Sequence, residues 1–323
     1  MKLTQVHTNP FKYSSTNKRY HTYDYYLKNR FGGKVAKIPL DCGFTCPNID
    51  GTKGRGGCIY CSDRGSGDFA QAPTIPLAEQ FYGTFQMMKR KWDTSMAIPY
   101  FQAHTNTYAP THLLRSLFYE ALSFDGVVGL NIATRADCLS NEVCSMLSEI
   151  ADKTVLTVEL GLQSVHEQTA RLINRCHTYG EFCDGYQRLK KASSRINICI
   201  HLIEGLPGED HDMMVESARQ VAMLRPEQVK LHCLNVLKNT ALATLYESGR
   251  YTPIERDEFV SVVCDCLELF PAETVIGRLT GDADRSKLIE PQWTTRKTEV
   301  INMVDQELYR RGSYQGMRYN GNK

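Results

Sequence analysis

Residues 35–61 read V-A-K-I-P-L-D-C-G-F-T-C-P-N-I-D-G-T-K-G-R-G-G-C-I-Y-C. The apolar run 35–40 has the length and composition of a buried strand, and the turn-rich stretch behind it carries four cysteines, Cys42, Cys46, Cys58 and Cys61. Glycines at 51, 54, 56 and 57 permit the tight turns of a loop that wraps a metal centre and leave backbone N–H groups free to face its sulfurs. Three thiolates on a four-iron cluster would leave one iron open to chelate an amino acid. Four would close it for electron transfer, and the same four could equally hold a structural zinc.

Outward from this loop, apolar runs recur at 97–103, 127–133, 154–160, 196–203 and 228–234, making six strands with the first. Amphipathic stretches at 77–92, 111–122, 141–151, 181–192 and 210–224 separate them. This β-α alternation predicts an α/β fold, a partial open (β/α)6 barrel of parallel strands, whose chemistry sits on loops after the C-terminal strand ends. Helices expected at 241–248, 254–270 and 295–311, with a loop over 276–286, cover the open side. The division is an N-terminal arm over 1–34, a barrel over 35–238 and a helical extension over 239–323, frayed from 318 onward.

The net charge of +2 is nearly balanced, yet residues 1–40 hold eight cations (Lys2, Lys12, Lys18, Arg19, Lys28, Arg30, Lys34 and Lys37) against Asp24 alone. Phe11, Tyr13, Tyr20, Tyr23, Tyr25, Tyr26 and Phe31 are interleaved with them. Such a segment suits phosphate contacts combined with base stacking; it equally suits an arm that packs its rings on the barrel and leaves its cations in solvent. No apolar run approaches the roughly 18 residues of a membrane span, and the N-terminus lacks a signal-peptide core. A cytoplasmic location without membrane partners is expected, where the 12 cysteines stay reduced and closely spaced ones are better read as metal ligands than as disulfides.

The spacing C-x11-C-I-Y-C after the first strand resembles the radical S-adenosylmethionine (SAM) superfamily. Glu159-Leu160-Gly161-Leu162-Gln163-Ser164, Asn174-Arg175-Cys176-His177 and His201-Leu202-Ile203-Glu204-Gly205-Leu206-Pro207-Gly208-Glu209 resemble further elements of its Elongator-like and coproporphyrinogen-dehydrogenase-like members. With L-D-x-G-F-T-C-P-N-x-D-G-T-K-G-R-G-G-C-x-x-C at its centre, nearly the whole chain resembles the bacterial YhcC/YtqA-type radical SAM family. That resemblance implies a [4Fe-4S] cluster on Cys46, Cys58 and Cys61, with Cys42 a spare thiol, and S-adenosylmethionine as second cofactor. It further implies Tyr60 against the adenine, Gln163 on the ribose and Arg175 on the carboxylate, with Glu204 and Gly205 in the turn that approaches the adenine. Where the superfamily commonly has a G-G-E-like ammonium site, this chain has Gln102 and Asn106.

The implied activity generates a 5′-deoxyadenosyl radical and converts 5-carboxymethylaminomethyl(2-thio)uridine to 5-aminomethyl(2-thio)uridine at the tRNA wobble position. The implied partners are tRNA, an electron donor such as flavodoxin or ferredoxin, and the methyltransferase MnmM, which would finish the modification. A tetrapyrrole substrate, or a non-enzymatic metal-stabilised RNA-binding module, is the alternative. His104, Arg135, Asp137, His232, Cys233 and Asn235 stand near strand ends and are candidates to face the barrel mouth, with none singled out as catalytic. Cys264 and Cys266, two apart on a helix, are expected to divide between core and surface. Arg278, Arg285, Arg310 and Arg311 suit either RNA contact or ordinary solvation.

Overall fold

The computed structural model describes residues 9–65 and 67–320, so the first eight residues of the arm, Lys2 included, and the last three of the expected frayed end lie outside the described residues. Helix α1 (Tyr23–Phe31) comes first, followed by β1 (Ala36–Leu40), α2 (Leu77–Trp92), β2 (Ala97–Phe101), α3 (Thr111–Leu122), β3 (Gly129–Thr134) and α4 (Asn141–Ala151). Then come β4 (Val155–Gln163), α5 (Glu167–Leu172), α6 (Tyr179–Ala192), β5 (Asn197–Glu204), α7 (His211–Leu224) and β6 (Gln228–Cys233). The chain ends in β7 (Val236–Leu237), α8 (Ala241–Glu247), α9 (Arg256–Leu269), β8 (Val275–Arg278), β9 (Leu288–Glu290) and α10 (Lys297–Arg310).

Seven strands form one parallel sheet in the order β1-β2-β3-β4-β5-β6-β8, curled into a partial barrel with β1 and β8 as its edges. The expectation of six strands is therefore one short. The run Val-Ile-Gly-Arg of β8 is too brief and glycine-broken to show a period, and its extended form comes from its neighbours: it pairs with β6 across a bulge, and Ile276 N–H donates to the His21 carbonyl at 2.8 Å.

Strand alternation explains the core. Leu130, Ile132, Leu156, Val158, Leu160, Ile198, Ile200, Val229 and Leu231 are fully buried in one large apolar cluster with the helices. The positions between them, including Asn131, Glu159, His201 and Lys230, face the barrel interior and are polar. Helix starts are set locally: Ser140 accepts from Val143 N–H, Thr178 and Glu181 form a capping box, and Asp210 caps α7 by accepting from Met213 N–H.

The described part of the arm packs aromatic rings on the rest of the fold and ties several of its cations to acids and rings. Phe11 and Tyr20 are buried, and Tyr13 stacks on His21 at 4.9 Å. Lys18 pairs with Asp305, Lys28 with Asp24 at 2.6 Å, and Arg19 lies over the Tyr309 ring. In the C-terminal extension Arg311 braces Asp265 at 3.0 Å and Glu307 at 2.7 Å. Cys264 and Cys266 are both fully buried, because α9 is enclosed between α7 and α10, which corrects the expected division between core and surface.

Candidate cofactor site

The cysteine loop is shaped by its own backbone. Ile49 and Asp50 N–H groups donate to the Cys46 carbonyl at 2.8 and 3.2 Å, Lys53 and Gly54 donate to Pro47 at 2.8 and 3.1 Å, and Cys61 N–H donates to Cys58 at 3.0 Å. These turns bring Cys46, Cys58 and Cys61 together. The Cys58 and Cys61 thiols hydrogen-bond each other, which draws Cys58 down to about 7, and Cys46 adds its charge to theirs. Cys42 points elsewhere: it packs on the apolar core, and burial, with Asp41 and Glu120 beside it, pushes its thiol up to about 12.

Asn174-Arg175-Cys176-His177 brackets this loop. Asn174 and Cys176 adopt left-handed φ of 53° and 57°. The Asn174 amide donates to the carbonyls of Gly57 at 2.7 Å and Arg55 at 3.1 Å; the Asn48 amide donates to the Asn174 carbonyl and lies 3.6 Å from Cys58 Sγ. Gly54 is required by space: a Cβ there would sit 2.3 Å from Asn48 Oδ1 and 2.6 Å from Cys176 Sγ. Arg135, beyond β3, holds Asp137 through two 2.9 Å bonds and donates to the Arg175 carbonyl at 2.9 Å. Lys53 of the cysteine loop reaches the same Asp137 at 2.9 Å.

Arg175 is turned into the protein. It is 1% exposed, and its guanidinium donates to the carbonyls of Leu162, Ser164 and His177. A guanidinium has five N–H groups, and four main-chain bonds leave no fork for a ligand carboxylate. It is a strut joining the end of β4 to the loop that brackets the thiols.

The other expected residues ring the C-terminal strand ends. Half-buried Tyr60 packs with Ile59 on a small cluster that includes Ile173, Leu206 and Leu234. Gln102 follows β2, half-buried, its N–H 3.4 Å from the Leu40 carbonyl. Asn106 is fully buried: its amide N–H groups donate to Ala103 and Ala133 at 2.9 Å each, leaving Oδ1 without a partner. Gln163 sits on a bulge at the end of β4 with φ 64°, its amide nitrogen placed to donate to Leu162 at 3.0 Å. Glu204 ends β5 with one carboxyl oxygen buried and unpartnered, and burial beside Glu209 pushes its carboxyl well above the usual range. Gly205 follows with φ 84°, its carbonyl accepting from Tyr251 Oη at 2.7 Å. Both ring nitrogens of buried His177 also lack partners. Buried acceptors without donors are rare, so Asn106 and Glu204 mark places where a ligand's donors would be satisfied.

Below these strand ends lies a polar layer that sequence reading missed. Glu159 on β4 receives Lys37 Nζ at 2.6 Å and Asn131 Nδ2 at 3.1 Å on one oxygen, and Tyr100 Oη at 2.7 Å, His201 Nε2 at 2.9 Å and Lys230 Nζ on the other. Glu159, Cys199 and His201 lie within metal-ligating reach of one another, but the two ammonium groups already occupy the carboxylate, so the trio is no cation site. The signal was available as polar residues at strand positions where burial favours apolar ones. His232 stacks obliquely on His201 at 5.2 Å, whereas Cys233 is turned into the core.

Residues 226–310 match the radical SAM C-terminal domain. Over 311 residues the chain is 48% identical to YtqA of Bacillus subtilis, covering 96% of each. It belongs to the YhcC/YtqA family of radical SAM proteins. YhcC of Escherichia coli is 34% identical over 289 residues, 88% of this chain and 91% of YhcC. Among solved structures the archaeal Methanocaldococcus infernus Elp3 shares the fold, with a TM-score of 0.64 at 17% identity over 88% of this chain and 64% of that one. Radical SAM proteins bind a [4Fe-4S] cluster and S-adenosylmethionine. The thiols fit such a cluster: three converge on a loop braced from outside, a cation lies close by in Arg135, and the fourth loop cysteine is held apart. No helix among the described residues is long and apolar enough to cross a membrane.

Proposed function

We propose that this chain is a radical SAM enzyme that holds its [4Fe-4S] cluster on Cys46, Cys58 and Cys61 and converts 5-carboxymethylaminomethyl(2-thio)uridine to 5-aminomethyl(2-thio)uridine at the tRNA wobble position. The observation that carries the cofactor reading is the convergence of these three thiols with Cys42 turned into the core. A three-thiolate set leaves one iron for the amino acid of SAM, whereas a zinc site would need the fourth. When bound, cluster and SAM together supply one-electron cleavage of SAM, with the electron coming from a donor such as flavodoxin or ferredoxin.

The chain's own residues do the rest. Arg135 places positive charge near Cys46 and helps draw the Cys58 thiol down. Asn48 aims an N–H at Cys58 Sγ. For SAM, Asn106 Oδ1 and the Glu204 carboxyl offer unpartnered acceptors, and Gln163, Tyr60 and Gln102 stand at the C-terminal strand ends beside them. The barrel wall excludes water from the reacting carbon, and an extruded wobble base is the form of substrate a recessed site can take. Support for the uridine substrate is the motif resemblance of the cysteine loop. The product's primary amine is what a methyltransferase such as MnmM would accept.

Mass spectrometry of digested tRNA from a strain lacking this gene tests the substrate. Accumulated 5-carboxymethylaminomethyl(2-thio)uridine is expected; an unchanged nucleoside profile removes the substrate while leaving the cofactor chemistry standing.

A further inference from the structure

We propose that the cleft at the mouth of the partial barrel, between the loop after Cys61 and the start of α10, is the docking surface for RNA, with Phe69 stacking on an unpaired base and Arg285 and Arg296 on the phosphates beside it. The proposal rests on the tRNA reading above and adds to it the place where the RNA sits.

Both walls of the cleft are anchored at C-terminal strand ends, the side on which the thiols lie. On one wall Gly67 packs so closely on Ala103, just beyond β2, that a Cβ on it would lie 2.8 Å from the Ala103 Cβ. Ser62, next to Cys61, donates to Asp68 on the same wall at 2.9 Å. On the other wall Thr294 bonds Asn235, just beyond β6, at 3.1 Å, and Gly281, beyond β8, packs on Asn235 and the Cys233 carbonyl. Lys287 reaches across to Asp68 at 2.8 Å and ties the two walls together. The cavity between them has a volume of about 620 Å³, and Phe69, Arg285, Arg296 and Lys297 line it. Clefts that take small ligands run from about 300 to 1,000 Å³, so there is room for a nucleotide.

Two of the cations here are uncommitted. Of the arginines toward the open side, Arg278 binds Asp282 at 2.8 Å, Arg310 binds Glu307 at 2.7 Å and Arg311 binds Asp265 at 3.0 Å. Arg285 is exposed, forms no ion pair among the described residues, and gives one N–H to the Thr295 carbonyl at 3.2 Å. Arg296 is 71% exposed, and its acid neighbour, Glu299, lies 3.7 Å away. The cavity's own acids are engaged: Asp282 holds Arg278 and Lys297, Glu299 takes Arg256 at 2.6 Å, and Asp284 accepts from the Ser286 hydroxyl at 2.7 Å and N–H at 3.0 Å. Two guanidinium forks therefore stay open to phosphate oxygens. Phe69 lines the same cavity with 55% of its surface exposed. A single exposed ring needs no explanation. One that shares a cleft with two open guanidiniums has the make-up of a single-stranded RNA site, where bases stack on aromatic rings and cations follow the backbone. A protein partner such as the electron donor would instead meet a broad face, not a concave opening.

The test uses the anaerobically reconstituted holoenzyme without reductant and a fluorescein-labelled anticodon stem-loop bearing 5-carboxymethylaminomethyluridine. Kd is measured by anisotropy over a range of salt concentrations. Phe69→Ala should raise Kd by about tenfold and leave its salt dependence unchanged, and Phe69→Trp should restore the affinity. The Arg285→Gln, Arg296→Gln double variant should instead flatten the slope of log Kd against log salt by about 1.4, or about 0.7 for each phosphate released. All three positions are exposed or line a surface cleft, so iron content and SAM cleavage without RNA should match the wild type. Variants that bind the stem-loop with wild-type affinity and slope overturn the site. If they also slow reduction of the cluster by flavodoxin, the face belongs to the electron donor and not to RNA. A wild type with no measurable affinity for the stem-loop overturns the site outright, and the nucleoside profile of the deletion strain then decides separately whether the wobble-uridine reading survives.

Discussion

Arg135 grips Asp137 with Nε and Nη2, each 2.9 Å from a carboxylate oxygen, and gives Nη1 to the Arg175 carbonyl. The pair is buried, and it joins the end of β3 to the thiol-bracketing loop and, through Lys53, to the cysteine loop. Arg135→Ala leaves the buried Asp137 carboxylate to Lys53 alone and should cost about 2–3 kcal/mol of stability. Arg135→Lys should recover little, since an ammonium cannot reproduce the fork. Urea denaturation measures the loss, and iron content of the reconstituted variants should fall with it.

Arg175 separates two uses of a conspicuous arginine. If it is a strut, Arg175→Met leaves carbonyls of Leu162, Ser164 and His177 unsatisfied and costs about 3 kcal/mol or more, while the folded fraction keeps the wild-type KM for SAM. A stable variant with a tenfold higher KM would restore the ligand-carboxylate role.

Two glycines of the cysteine loop should respond differently to alanine. At Gly54 the added methyl would lie 2.3 Å from Asn48 Oδ1 and 2.6 Å from Cys176 Sγ, so Gly54→Ala should displace the bracket and lower cluster loading several-fold. At Gly56 the methyl meets nothing within 4 Å, and only the φ of +78° opposes it. Gly56→Ala should cost about 1–2 kcal/mol and keep its iron. Iron and sulfide analysis of the two variants distinguishes space from backbone angle.

Much of this was legible before the structure. Helices 77–92, 111–122 and 141–151 agree with α2, α3 and α4 to the residue, because each carries a clean apolar stripe. Strand β8 and helix α5 escaped, being four and six residues long and fixed by tertiary contacts rather than by any period. At the site the thiols announce themselves by spacing, but the fate of Cys42 depends on which way one side chain turns after Asp41, and that is decided by packing against the core. Arg175 shows the same limit: its identity is visible in the chain, its partners only in three dimensions. Glu159 stood in a quoted motif unremarked, because the lysines that answer it lie 122 residues before and 71 after.

Native stability should depend on pH through His201. Burial beside Lys230 lowers its imidazole from 6.5 to about 4, against the pull of Glu159. Between those values the unfolded chain binds more protons than the native one, so this contribution is complete above pH 6.5 and is lost as pH falls toward 4. The slope is about 1.4 kcal/mol per pH unit for one group. Denaturant melts across this range should be shallower in pH dependence for His201→Asn than for the wild type.

Anaerobic reconstitution followed by assay for 5′-deoxyadenosine under a strong reductant probes the cofactor reading at its root. Wild type and Cys42→Ala should both cleave SAM, and Cys46→Ala, Cys58→Ala and Cys61→Ala should each fall to background. Equal loss at Cys42→Ala, or no cleavage by a wild type carrying its full complement of iron, would contradict the three-thiol cluster and the chemistry built on it.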